Sequence, residues 1–257
     1  MVSLGGSCNR CELSGRDLNG AAFHGATFTN ATLVGAELRG AELMGSDFSG
    51  SDFRRADMDG AEMVGANFTG ANFSNASMSG VSAAGSRFMR ARFDSADLSG
   101  AELTGANLNG AVLSGADFEG AELVGTTLAN VTARGTDFTS ASIDTSNLSN
   151  GDFRGADFTD ASLNGSRLTG GAFGQADFDD ASLNRADIRG ADLSSARNLT
   201  QDQISRACGD SNTRLPGRLA VRVCRGMPGV RVTPAPPAAP APPVPPRVRN
   251  FAIASNR

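Results

Sequence analysis

Residues 101–125 read AELTGANLNGAVLSGADFEGAELVG, five units in which Ala opens, Leu or Phe stands third and Gly closes. Followed outward, the register holds from Cys11 to Ser195 without insertion or deletion. Over 37 units, the third position from Leu13 to Leu193 holds 16 Leu, 14 Phe, 3 Met, 2 Ile and 2 Ala. The first position holds 24 Ala and the fifth 23 Gly, and the residue before the large one is mostly Asp, Glu, Asn, Ser or Thr.

A period of five fits neither an α-helix nor a flat strand. It predicts a coil in which each unit makes one side and one corner. The large third residue and the small first residue point inward together and fill a narrow interior. Gly at the fifth position suits a corner that needs positive φ. Two exceptions support this packing. Ala83 and Ala133 are the only small residues at the large position, and Val81 and Val131 are the only Val at the partner position. Volume lost at one inward site returns two residues away.

Composition limits the chemistry. The chain of 257 residues has no Trp or Tyr, a single His (His24) and 23 basic residues that are all Arg. That excludes zinc sites built from several histidines and leaves little for acid–base catalysis near neutral pH. A filled coil offers no cleft, so the expectation is a non-enzyme with no cofactor or metal. No 18-residue apolar run spans a membrane, and the first ten residues lack a signal-peptide core, which points to the cytoplasm. Charge divides unevenly: residues 11–196 carry −13 and residues 197–257 carry +8.

The units resemble the pentapeptide-repeat family, with consensus A-(D/N)-L-x-x, over about residues 8–196. The resemblance implies an all-β fold, a right-handed quadrilateral parallel β-helix with four units per coil, which lays position n+20 over position n. Thirty-seven units then make about nine coils in a rod about 43 Å long. Residues 1–10 are expected as an N-terminal cap, 11–196 as the solenoid, 197–227 as a capping segment and 228–257 as a disordered Pro-rich basic tail.

An open solenoid needs its ends covered. Thr200-Gln201-Asp202-Gln203 is a capping box, Leu199 and Ile204 stand at hydrophobic-staple spacing, and Gly209 offers a stop. The expectation is a helix over Gln201–Cys208, lying on the last coil. The stretch from Cys208 to Cys224 looks like the closing segment of some bacterial members of the family, and these two cysteines can pair in an oxidising compartment. Cys8 and Cys11 form a CxxC, readable as half a metal site, a redox pair, or an inward plug of the first coil, since both fall on inward positions. Pro237 to Pro240 is one of several PxxP spacings in the tail, which reads as a spacer.

With four units per coil, Asp17, Glu37, Asp57, Asp97, Asp117, Asp137, Asp157 and Asp177 stack in one column, broken only by Ser77. This face carries a net −12, and the equivalent column on the face of Phe28 and Phe48 has only Asp47 and Asp187 as acids. Two readings compete. Short Asp side chains bond local backbone at this position, which makes the column a solvated surface. Alternatively the column is a binding face. Thirteen net charges over about 43 Å approach half the charge density of duplex DNA. Family members that confer quinolone resistance are DNA-like rods that bind gyrase. The resemblance therefore implies an interaction scaffold for a protein partner, with a DNA-mimicking topoisomerase binder as the alternative; neither binds nucleic acid directly.

Overall fold

A computed structural model describes residues 6–224 of the chain. Residues 1–5 of the expected N-terminal cap, residues 225–227 of the capping segment and the expected Pro-rich tail (228–257) lie outside them. Parallel bridges join residues 20 apart in an unbroken series from Ser7↔Thr27 to Asp177↔Arg197. The bonding rule is the same in every coil. Leu103 donates its amide to the Glu122 carbonyl (2.8 Å), Glu122 donates back to Ala101 (2.9 Å), and Gly105 donates to Val124 (2.9 Å). Within a unit, Ala106 N–H closes a turn onto Leu103 C=O (2.9 Å). Each side of the coil is thus one bridged residue between tight turns, and no continuous strand forms among the described residues.

The fifth residue of the unit turns the corner with positive φ even where it is not Gly, as at Asn130 (58°), Asp160 (58°) and Arg185 (60°). At Gly50 (φ 69°) and Gly170 (φ 66°) a Cβ would also stand 2.7 Å from Asn30 Oδ1 and Asn150 Oδ1, respectively.

Inside, the large residues from Phe23 to Leu193 are buried and stack coil on coil. Phenylalanines form ladders that residue counting alone does not reveal. Phe28, Phe48, Phe68 and Phe88 stack at 5.5, 5.8 and 5.2 Å between ring centroids. Phe53, Phe73 and Phe93 stack beside them at 4.9 and 5.0 Å. In the second half, Phe118, Phe138, Phe158 and Phe178 form a ladder on another side, at 5.3, 5.1 and 5.2 Å. Val81, Ala83, Val131 and Ala133 are all buried. A second volume exchange occurs at Gly151, where a Cβ would lie 2.4 Å from the Phe153 ring. Seven inward Ser and Thr are buried; Ser51 and Thr136, for example, donate to the carbonyls of Phe28 (2.7 Å) and Leu113 (2.8 Å) in the preceding coil.

The C-terminal end is closed by α1 (Gln201–Arg206). Its capping box is formed by Thr200 and Gln203, Ile204 is fully buried, and Gln203 Nε2 donates to the Phe178 and Ala181 carbonyls, each at 2.8 Å. The helix ends at Arg206, short of the expected Cys208. Ala207 is extended, and Cys208 leaves to bridge Asp187, donating its amide to Ala186 (2.9 Å). Gly209 is accordingly no helix stop; it is packed so closely that a Cβ would meet Val221 at 2.5 Å. The cap extends the ladder through Asp192↔Arg214 as well as covering it.

The N-terminal end differs from expectation. Ser7 already bridges Thr27, so residues 7–10 run in the first coil rather than capping it. Cys11 packs inward, half-buried against the core, whereas Cys8 is exposed, so only one of the two follows the inward-plug reading.

Arg ion pairs tie neighbouring units. Asp152 receives Arg134 Nε (2.6 Å) and Arg154 Nη2 (2.7 Å). The Arg154 hydrogen bond, opposed by partial burial and aided by Arg134, holds the Asp152 carboxyl well below the usual carboxylate range.

This packing sets the cost of three substitutions. Phe73→Ala removes a ring stacked on both sides and should cost about 3–5 kcal/mol in chemical denaturation. Gly151→Ala should cost about 1–3 kcal/mol, since the inserted methyl displaces the Phe153 ring. A depressed folded-state pKa gives Asp152 a stabilising contribution above its unfolded value of about 4, which is lost as pH falls below it. Melting curves between pH 7 and pH 2 should therefore show a smaller acid loss for Asp152→Asn than for the parent.

Candidate functional site

The bridge series places the acidic column on one ladder: Asp17↔Glu37↔Asp57↔Ser77↔Asp97↔Asp117↔Asp137↔Asp157↔Asp177, closed by Arg197. The local cause of Asp at this position is visible at each rung. Asp97, Asp117, Asp137 and Asp157 each accept the amide two residues on, from Ser99 (2.9 Å), Glu119 (2.8 Å), Thr139 (2.8 Å) and Thr159 (2.9 Å). The bond steadies the corner turn and fixes the direction of the carboxylate. Asn does the same work elsewhere: Asn67, Asn107 and Asn147 accept from Thr69, Asn109 and Ser149. Turn chemistry therefore explains a short polar side chain at these rungs. It does not explain why this ladder carries the charged one.

Cations pair with the third rung and the last rung of the ladder. Arg39 pairs with Asp57 (2.6 Å) and Asp59 (3.7 Å), and Arg197 with Asp177 (3.4 Å). Between them, Asp97, Asp117, Asp137 and Asp157 have no ion pair among the described residues, on four successive rungs. On other sides of the rod Arg is paired with Asp52 (2.7 Å), Asp94 (2.9 Å), Asp152, Asp187 (2.5 Å) and Asp192 (2.7 Å). The neighbouring ladder adds Glu62, Glu102 and Glu122, whose only polar side-chain bonds among the described residues are from Ser82 to Glu102 and Thr104 to Glu122.

The remaining candidate groups are placed apart from the ladder's centre. His24 is not isolated: its Nε2 lies 2.5 Å from Glu42 Oε2, a pairing across successive coils that local reading of the sequence does not reach. Cys8 and Cys11 hold their sulfurs against each other with Cα atoms 5.7 Å apart, and Cys208 and Cys224 do so at 4.9 Å in the cap. Asp187 lies beside the second pair, within 4.8 Å of both sulfurs, but its carboxylate is already engaged by Arg189. No helix among the described residues is long and apolar enough to cross a membrane.

Comparison with known proteins gives the architecture its place. Two models of pentapeptide repeats match, one over residues 7–45, 46–82, 71–110, 86–123 and 121–160, the other over 153–197. The chain is similar to the crystal structure of HetL, a pentapeptide repeat protein involved in heterocyst differentiation regulation in the cyanobacterium Nostoc sp. Identity is 26% over 83% of this chain and 92% of HetL, with a TM-score of 0.72. It also matches trypsin-treated QnrB1, a plasmid-mediated fluoroquinolone resistance protein, at 21% identity over 79% of this chain and 91% of that one, with a TM-score of 0.42. No curated protein matches the chain significantly. With repeats matched from residue 7 to residue 197 and a HetL-like coil, the chain belongs to the pentapeptide-repeat family and folds as a right-handed β-solenoid.

Proposed function

We propose that the chain is a non-catalytic interaction scaffold whose about nine coils present the Asp17–Asp177 ladder to a basic surface on a protein partner. The observation that carries this reading is the run Asp97, Asp117, Asp137, Asp157, one carboxylate per rung without a paired cation among the described residues. Adjacent rungs are about 4.8 Å apart, where two unit charges repel by about 0.9 kcal/mol even in water. An arginine- or lysine-rich groove laid along the ladder relieves that repulsion. Because one oxygen of each Asp is already tied to the turn, little side-chain freedom is lost on binding.

A second reading narrows the partner to a type II topoisomerase that meets the ladder in place of DNA. The linear spacing of unpaired charge along the rod favours it, since a DNA-binding groove is built to follow charge along an axis.

The test is the fourfold variant Asp97→Asn, Asp117→Asn, Asp137→Asn, Asp157→Asn. Asn keeps the turn bond, so the variant should melt at or above the parent temperature. In a gyrase supercoiling assay the parent should inhibit and the variant should not. A parent that leaves supercoiling untouched removes the topoisomerase reading. Inhibition that survives the four substitutions removes this ladder as the surface.

A further inference from the structure

We infer that the side of the rod next to the Asp17–Asp177 ladder docks an amphipathic helix of a protein partner, one whose apolar stripe is flanked by arginine or lysine. This surface is separate from that ladder and does not depend on its reading. The neighbouring ladder runs Glu42↔Glu62↔Ser82↔Glu102↔Glu122. Two residues past its rungs stand Met44, Val64, Ala84 and Val124, with Thr104 between the last two. Corner amides hold this strip in line: Gly45 donates to the Val64 carbonyl (3.0 Å) and Gly105 to the Val124 carbonyl (2.9 Å). Val64 is 41% exposed and the other four are half-buried. Over the same coils the equivalent positions beside the Asp ladder are Arg39, Asp59, Ser79, Ser99 and Glu119, none of them apolar.

The corners on both sides of the strip are bare. In steps of twenty, every corner residue from Gly20 to Gly120 on one side and from Gly25 to Gly125 on the other is Gly, and a Cβ at any of them meets open space. Positive φ does not impose this, because Asn30 (54°), Arg55 (57°), Asn75 (59°) and Arg90 (56°) turn corners elsewhere on the rod. Strip and bare corners end together, at Ser140, Asp144 and Thr145 of one coil. Charge and spacing identify the occupant. Glu62, Glu102 and Glu122 are exposed beside the strip and have no ion pair among the described residues. A partner apolar along its middle and basic along one edge complements both columns. Rungs about 4.8 Å apart nearly match the ~5.4 Å rise of a helical turn, so five turns keep step with five rungs to about 2.4 Å. An extended strand repeats one face every ~6.8 Å and falls out of step by about 8 Å.

The test uses the full chain and a fluorescently labelled synthetic helix of about 18 residues, with Leu at i, i+3, i+4 and i+7 spacing and Arg along one flank. A second peptide of the same composition in scrambled order keeps the net charge and loses the stripe. By fluorescence anisotropy at about 0.15 M salt, the parent should bind the striped peptide about tenfold or more tightly than the scrambled one. Val64→Ser with Val124→Ser, both outside the core, should abolish that preference without lowering the melting temperature. Gly85→Arg with Gly105→Arg should abolish it too, because the new side chains fill the open corner and set a cation against those of the helix. No binding, or equal binding of the two peptides by the parent, overturns the inference. So does a preference that survives either double variant. The fourfold Asp→Asn ladder variant should keep the preference; its loss there would place the helix on the Asp ladder and overturn the strip as the site. Supercoiling, the readout for the ladder, plays no part here, so either reading can fail alone.

Discussion

Everything in this molecule depends on one hydrogen-bond rule. The large residue of each unit donates its amide to the carbonyl just before its counterpart in the next coil, as Leu103 does to Glu122, the residue preceding Leu123. The bond is short-ranged in space but sets a long-range phase. Once position n lies beside position n+20, identity at that spacing becomes a column: Phe53 over Phe73 over Phe93 inside, Asp97 over Asp117 over Asp137 outside. A single inserted residue would move every later side chain by one position and turn inward groups outward. The absence of any such insertion from Cys11 to Ser195 is what lets both kinds of column persist.

Features governed by the repeat or by adjacent residues were legible in the sequence. The inward pair at positions one and three, the exchange of volume between Val81 and Ala83, and the capping box at Thr200–Gln203 need only near neighbours or a constant period. Features set by competition between distant groups were not. Cys208 abandons the helix because the Ala186 carbonyl, in the coil beneath it, takes its amide. His24 finds Glu42 only because the chain passes once round the coil between them and returns one rung along. Gly151 looks like a defect in the Ala column until the ring edge of Phe153 is seen in the space a methyl would need. Cys8 falls on the inward register and is exposed, whereas Cys11, three residues on, is half-buried against the core.

The acidic ladder shows how a structural habit becomes a charge pattern. The position before the large residue selects for a short side chain that accepts the next amide but one, and Asp and Asn meet that demand equally. The choice between them is therefore free of the fold's needs and is left to whatever acts on the surface. Where Asp occurs on other sides, Arg two residues on often neutralises it, as at Asp52–Arg54, Asp152–Arg154 and Asp187–Arg189. In the ladder's middle the residue two on is Ser99, Glu119, Thr139 or Thr159, so the same turn is built without the neutralising partner. Uncompensated charge on four successive rungs opposes folding slightly and contributes nothing to the core. A rod that needed only solubility could scatter the same carboxylates over its sides, so their concentration on one ladder, with Arg paired only to Asp57 and Asp177 among the described residues, is the feature that the proposed binding role accounts for and packing does not.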